Sequence, residues 1–471
     1  MNVFLSTIIL PGKQKIIEPD IRIEKQLFFK YSNKNRSCWL IKPYSKRLYK
    51  KRIFTPEIFN AANIMEINIS SEVDLLKAVI VHTPGREVSL VNPGIKEELL
   101  FDDIIFENDA RAEHLDMLEV FKAAMPPEGK VLEIVDLALD CFQKKEVREE
   151  FIEMMDSELP FENIHAIEDE LLDLEPDKLL QFVIEGTIGG HFNLQPAPNL
   201  LFTRDLAAVV GDGIILSRAA KHARSREFLL IRIIVKHHPF FQKVRDNVIS
   251  IGKKQSIEGG DVLVLSDKIV LIGMSERTSF SGLMSVAGKL HAQGVEHVLA
   301  VDIPKQRSSM HLDTIFTFTN HTECVAFSPA IMEQTHNVVD LFPGDEFIQS
   351  RQCYSLQSAL EELTGKSFTF IKCGGEDPVT QFREQWTDGA NLFALAPGVV
   401  IGYGRNTETF KTMKKNGYKH MSQYEFIEEF RGKGIQPENS EKIAISFEGH
   451  ELCRGRGGAR CMTLPILRSK S

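Results

Sequence analysis

DVLVLSDKIVLIG, Asp261 to Gly273, sets two short apolar runs on either side of a bend at Asp267-Lys268. Each run is too short for an ordinary helix and rich in β-branched residues, so the pair reads as two buried strands of a hairpin. The same construction occurs in AAVVGDGIILS (Ala207 to Ser217), bent at Gly-Asp-Gly, and in LFALAPGVVIGYG (Leu392 to Gly404), bent at Pro397-Gly398. HTECVAF, SFTFIKCGG and ISFEGHELC supply further strands, and helical spacing marks Ser281 to Gln293 and Ser355 to Thr364 between them. Strands and helices therefore alternate in units of roughly fifty to sixty residues, which predicts repeated α/β modules around a centre instead of one Rossmann sheet. No GxGxxG follows a strand and no P-loop is present.

Upstream, SEVDLLKAVIVHTPGRE places a strand at Lys77 to His82, closed by a Thr-Pro-Gly turn. From about Asn108 to Glu185 the apolar spacing is helical, with a densely acidic stretch over Gln143 to Lys178 that reads as a solvated helical face. The first 52 residues differ from the rest. They hold 13 Lys and Arg against Glu18, Asp20 and Glu24, a net of +10, so the remaining chain carries −19 within a total of −9. This basic head, 1–64, reads as a separate extension, or as sequence upstream of a true start at Met65.

The overall acidity argues against nucleic acid as a main partner. The apolar run MNVFLSTIIL is too short to span a bilayer and no basic residue precedes it, so neither a signal peptide nor a membrane anchor is expected. Seven scattered cysteines without a CxxC pair fit free thiols in a reducing compartment, which points to the cytoplasm.

Polar signatures stand where the modules begin: PNLLFTRD (Pro198 to Asp205), IEGGD (Ile257 to Asp261), MHLD (Met310 to Asp313), QWTDGAN (Gln385 to Asn391) and GARCM (Gly458 to Met462). Singly, each has an ordinary structural reading. Asp205 would cap a turn, EGGD would be a tight turn with solvated acids, and His311 and Asp313 would share a strand face. Cys461 would be the first core residue of a strand. Strand starts in a ring of modules instead face one mouth. Asp205, Glu258, Asp313, His311 and Cys461 would meet there, with Arg456 and Arg460 beside the thiol to favour its ionised form. Several carboxylates with one imidazole and one thiol suit a planar, cationic, electrophilic carbon, and a guanidinium fits because a carboxylate takes its N–H donors in pairs.

Together FTRD, EGGD, MHLD, REQWTDGAN, APGVV and the terminal RCM-P stretch, in this order and spacing, resemble the arginine deiminases of the guanidino-group-modifying superfamily. The resemblance covers Met65 to the C-terminus. It implies an α/β fold, a five-bladed propeller with pseudo-fivefold symmetry, laid out as 65–107, a helical insertion over 108–185, and the remaining blades over 186–471. It implies hydrolysis of L-arginine to L-citrulline and ammonia, with Cys461 as nucleophile, His311 moving protons, and Asp205, Asp313 and Glu258 holding the guanidinium or orienting His311. Asn199, Arg224, Arg277 and Arg456 match positions that bind the amino-acid end of the substrate. Arg224 and Arg277 each follow an acid, Asp205 and Glu258, by 19 residues, and this equal spacing predicts equivalent places on neighbouring modules. No metal or organic cofactor is expected, since the substrate carries its own electrophile, and a homo-oligomer is left open. The chain departs from the family pattern at YGRN (Tyr403 to Asn406) and NLFALAPG, stretches expected to lie away from the catalytic set. An amidinotransferase, which passes the amidino group to an amine, is the nearest alternative; a guanidino-binding protein without catalysis and a metalloenzyme using His311, Asp313 and Glu258 are more distant ones.

Overall fold

The computed structural model describes residues 65–159, 162–188, 191–192, 194–436 and 441–470. The basic head expected over 1–64 lies outside the described residues, and so does Cys38.

Each quoted hairpin forms as read. Ala207–Val210 pairs antiparallel with Gly213–Leu216 around Gly211, whose φ of 56° favours glycine. Val262–Val264 pairs with Ile269–Met274, and Phe393–Ala396 with Val399–Tyr403. In the last, Pro397 stands at the second turn position and Gly398, with φ 73°, at the third, the residues a type II turn requires. These strands are apolar throughout because nearly all their residues are buried, on both faces of the sheet.

After each hairpin the chain makes a helix and returns as a strand parallel to the hairpin's second strand. Helix Ser225–His237 leads to Val248–Ile249, and helix Phe280–Ala292 leads to His297–Asp302. In the third module, Phe316–Asn320 and Glu323–Ala326 are followed by helix Leu356–Thr364 and strand Thr369–Lys372. That helix starts in a capping box between Ser355 and Ser358. In the fourth module, helices Thr407–Lys415 and Gln423–Phe430 precede Ile443–Phe447. A fifth sheet of the same design joins the two ends of the described chain. Leu464–Arg468 pairs antiparallel with Leu76–Val81, and Lys130–Glu133 pairs parallel with it after helix Glu107–Ala124. Inside the third module a hairpin, Val338–Pro343 with Ile348–Cys353, leaves to extend the second module's sheet. The architecture is mixed α/β.

Within the helical stretch, Glu107–Ala124 crosses over between paired strands of the fifth sheet and packs on Gln423–Phe430. The helices Ile134–Phe142, Lys145–Glu158, Glu168–Leu172 and Pro176–Glu185 form a separate group. Ile134–Phe142 and Lys145–Glu158 pack directly on helix Ser225–His237, and Pro176–Glu185 and Glu168–Leu172 pack on those two in turn. That helix is buried almost all round, Arg226 to Ile231 and Ile233 to Val235, because it has neighbours on both sides. Phe142, Phe151 and Phe182 are fully buried in the same core, and each stabilises the contact by roughly 1.5–3 kcal/mol. Among the described residues no helix is long and apolar enough to cross a membrane.

Candidate active site

The first strand of each of the first three modules is preceded by a single 3-10 turn: Thr203–Leu206, Gly259–Asp261 and Leu312–Thr314. These turns, or the residue just ahead of them, carry Asp205, Glu258, His311 and Asp313. Cys461 stands in the corresponding place ahead of Leu464–Arg468. The EGGD glycines are required by close approach. A Cβ on Gly259 would lie 2.2 Å from the Arg204 carbonyl oxygen, and one on Gly260 would lie 2.7 Å from the His311 ring. Arg224, in the turn His222–Arg224, and Arg277, ahead of helix Phe280–Ala292, both sit between a hairpin and its module helix, which are equivalent places.

The polar side chains converge without water-facing surface: none of Asn199, Asp205, Arg224, Glu258, Arg277, His311, Asp313, Arg456 and Cys461 exceeds 4% exposure. His311 Nε2 lies 2.8 Å from Glu258 Oε2, and its Nδ1 lies 3.6 Å from Asp205 Oδ1. Burial alone would lower the imidazole, but the Asp205 and Glu258 carboxylates outweigh it and raise His311 to about 9. Glu258 is held well below the usual carboxylate range, burial notwithstanding, by Arg277, His311 and Arg224. Arg277 Nη1 is 3.4 Å from Glu258 Oε2 and its Nε donates to Glu276 at 3.0 Å. Arg224 donates through Nη1 to Asp205, through Nε to Glu227 at 2.9 Å, and through Nη2 to the Asn199 carbonyl at 3.0 Å. Both arginines are buried, 2% exposed.

Cys461 is placed by hydrogen bonds from its neighbours. The Asn391 Oδ1 accepts from the backbone N–H of Arg460 at 3.0 Å and of Cys461 at 3.1 Å, while Asn391 Nδ2 donates to the Asp313 carbonyl at 3.0 Å. The Cys461 Sγ lies 3.8 Å from Asp313 Oδ2. Arg460 does not turn its charge to the thiol. Its Nη1 donates to Asp313 Oδ2 at 2.7 Å, and its Nε and Nη2 clasp both oxygens of Glu72 at 3.1 and 2.5 Å. The expected lowering of the Cys461 thiol by flanking arginines is therefore reversed in the chain alone. Burial, then Asp313, Asp205 and Asp388, push the thiol well above its ordinary value, and Arg460 opposes them only weakly.

Arg456 is the left-handed residue of the cysteine loop, with φ 64°. Its guanidinium lies on the Trp386 ring, 3.9 Å from the centroid, and donates to the Trp386 carbonyl. The loop's glycines serve packing instead of a left-handed bend, since a Cβ on Gly457 would lie 2.3 Å from the Phe202 ring. The Tyr403 hydroxyl donates to the Gly457 carbonyl at 2.7 Å, so the YGRN stretch reaches the cysteine loop, contrary to expectation. A segment ahead of helix Glu107–Ala124 covers the site. Asn199 Nδ2 donates to the Leu99 carbonyl at 2.7 Å, and Phe101 packs near Phe202 with centroids 6.4 Å apart.

Several site residues escape sequence reading. Asn391 and Asp388 lie inside the quoted QWTDGAN motif, yet nothing in the motif says which member meets the cysteine. Glu227 follows Arg224 by three residues, a helical pairing that could have been inferred. Glu72 has no motif at all. Asp205, Glu258 and His311 offer donor atoms within 4.8 Å of one another and could hold a metal ion. The same carboxylates are already paired with Arg224 and Arg277, which suits a site built around guanidinium groups.

The family model for arginine deiminase matches residues 154–468. An arginine deiminase of Listeria monocytogenes serotype 4b is 34% identical over 429 residues, 85% of this chain and 98% of that protein. One from Bacillus cereus is 33% identical over 432 residues, with the same coverage. An amidinotransferase from Microseira wollei superimposes with a TM-score of 0.51 at 13% identity, covering 86% of this chain and 98% of that one, a likeness of fold. With these relatives matched along nearly their whole length, the chain belongs to the arginine deiminase family.

Proposed function

We propose that this protein is an arginine deiminase, a hydrolase that converts L-arginine and water to L-citrulline and ammonia through a covalent bond to Cys461. The observation that carries this reading is the meeting of one thiol, one imidazolium and three carboxylates at a single buried point. In this reading the substrate guanidinium pairs with Asp205 and Asp313, and its charge cancels the field that keeps the Cys461 thiol neutral. The thiol releases its proton to solvent as the cation arrives, and the thiolate attacks the central carbon. His311, charged at neutral pH, is already the acid the next step needs. It gives its proton to one terminal nitrogen, which leaves as ammonia, and the carbon remains bonded to sulfur as a thiouronium. Neutral His311 then takes a proton from water as the oxygen bonds to that carbon. The C–S bond breaks with its electron pair returning to sulfur, the hydroxyl proton passes to that thiolate, and the neutral ureido product departs.

Asn199, Arg224, Arg277 and Arg456 hold the amino-acid end in this scheme, with Asn199 linking it to the covering segment at Leu99. Entry of substrate requires that segment and the Arg456 loop to move, a gating step of a common kind. We further read the five like sheets, the last closed by the two chain ends, as the blades of a propeller with the catalytic turns at one mouth. The helical insertion then runs from Ile134 to Glu185, since Glu107–Ala124 belongs to a blade. L-Arginine supplied alone, with citrulline and ammonia measured, tests the function. Equimolar release of the two supports it; ornithine formed only when an amine is added, or no product, overturns it.

A further inference from the structure

Asp388 is a carboxylate that the scheme above leaves unused. It lies in QWTDGAN, between helix Pro378–Trp386 and strand Phe393–Ala396, and is 1% exposed. Neither of its side-chain oxygens has a hydrogen-bond partner among the described residues. Its φ of 62° is one that residues other than glycine adopt at a cost, and such backbone gathers at functional sites. The cation beside it is Arg456, whose Nη1 is 4.0 Å from Asp388 Oδ1. Arg456 is itself left-handed and buried. Its other polar contacts are carbonyl oxygens of Trp386 and, at 3.4 Å, Ser308, with the Asp102 carboxylate 3.6 Å from its Nε. A buried carboxylate is stable only when paired, and a guanidinium one short step away offers a two-bond pair.

We propose that Asp388 is a positioning residue: its carboxylate holds Arg456 at the amino-acid end of the site and so sets how tightly arginine is bound. This rests on the reading of Arg456 as a substrate-binding residue. The charged groups that face Asp388 are Arg456, Asp313 from the turn Leu312–Thr314, Arg307 from the turn Arg307–Ser309, and Asp102 from the covering segment. Burial lifts Asp388 to about 7, Arg456 opposing, so the carboxylate that holds Arg456 gains a proton as pH falls through neutrality. Cys373, Tyr403, Cys453 and Cys461 also lie within its field, but burial keeps all four neutral there. Glu227, beside Arg224, is also lifted to about 7, and the Asp388 variant separates the two.

The test is steady-state kinetics on L-arginine with the full chain, wild type and Asp388→Asn, across pH 6 to 8. Loss of one charge-assisted contact raises KM by about tenfold or more, while kcat stays within about threefold. Wild-type KM rises as pH falls through about 7. In Asp388→Asn it is high throughout and flat. An unchanged KM in the variant overturns the proposal, and so does a raised KM with the wild-type pH step intact, the mark of a structural role or of Glu227. Should the Asn variant not fold, wild type decides alone, since a KM independent of pH over this range overturns the proposal. Wild type that makes no citrulline removes the functional reading and this inference with it; normal turnover with an indifferent Asp388 removes only the inference.

Discussion

Replacing Asp313 with Asn separates two properties that usually move together, thiol reactivity and turnover. Asp313 is fully buried, 2.7 Å from Arg460 and 3.8 Å from the Cys461 sulfur. A negative charge at that distance opposes a thiolate by about 4 kcal/mol at an effective dielectric near 20, before relaxation. Removing it eases ionisation of Cys461, so alkylation by a small reagent such as iodoacetamide at pH 7 to 8 should speed up by about tenfold or more, at roughly 1.4 kcal/mol per decade. Turnover moves the other way. The substrate guanidinium loses a buried carboxylate partner, a loss of about 3–5 kcal/mol where one member of a buried pair is removed, and citrulline formation should fall by about a thousandfold. Arg460 keeps Glu72 as a second partner, which favours a folded variant, checked by its thermal melt. The assay pairs citrulline release with the rate of Cys461 modification followed by peptide mass. Slower or unchanged alkylation together with near-normal citrulline release would refute the placement of Asp313 between Arg460 and the reacting sulfur.

Other expectations follow from the same geometry. Cys461→Ser should abolish citrulline formation while the melt stays close to wild type, and residual turnover near the wild-type rate would exclude a covalent route. His311 is raised to about 9 by Asp205 and Glu258 against the pull of burial, so kcat/KM should fall as pH rises through that value; a profile flat to pH 10 would contradict its role as acid. The charge on His311 stabilises the fold by the same linkage. This contribution is complete below the unfolded value near 6.5 and lost as pH rises through about 9, so melting temperature should decline over that interval, and less so in a Glu258→Gln variant. Arginine should be preferred over agmatine by up to about ten thousandfold, since agmatine lacks the carboxylate that Arg224 and Arg277 would receive. Arg277→Leu should erase most of that preference, and comparable wild-type efficiency on both substrates would refute it.

The hairpins were legible because each couples two apolar runs to a bend with glycine or charged residues, and burial on both faces leaves no competing period. The helix Ser225–His237 was harder to read. FLLIRIIV is apolar without a helical stripe, since its outer side is covered by helices Ile134–Phe142 and Lys145–Glu158, and such a run does not separate a buried helix from a buried strand. Helix Glu107–Ala124 reads correctly as a helix, but its place as a crossover depends on Lys130–Glu133, a four-residue strand with no fully buried residue that pattern alone does not reveal. At the site, the motifs located the acids, the imidazole and the thiol. They did not say which arginine faces which acid. Arg460 lies next to Cys461 in the chain, yet its guanidinium is drawn to Glu72 and Asp313, so adjacency in sequence gave the wrong sign for the thiol.

The covalent role of Cys461 is tested most directly by stopping the enzyme with acid during turnover of L-arginine and measuring the mass of the peptide that contains Cys461. If Cys461 attacks the guanidinium carbon, part of that peptide carries arginine less one ammonia, and the adduct disappears when substrate is exhausted and citrulline has formed. Steady release of citrulline with Cys461 unmodified at every quench time, under conditions where hydrolysis of the adduct is slowed, would contradict it.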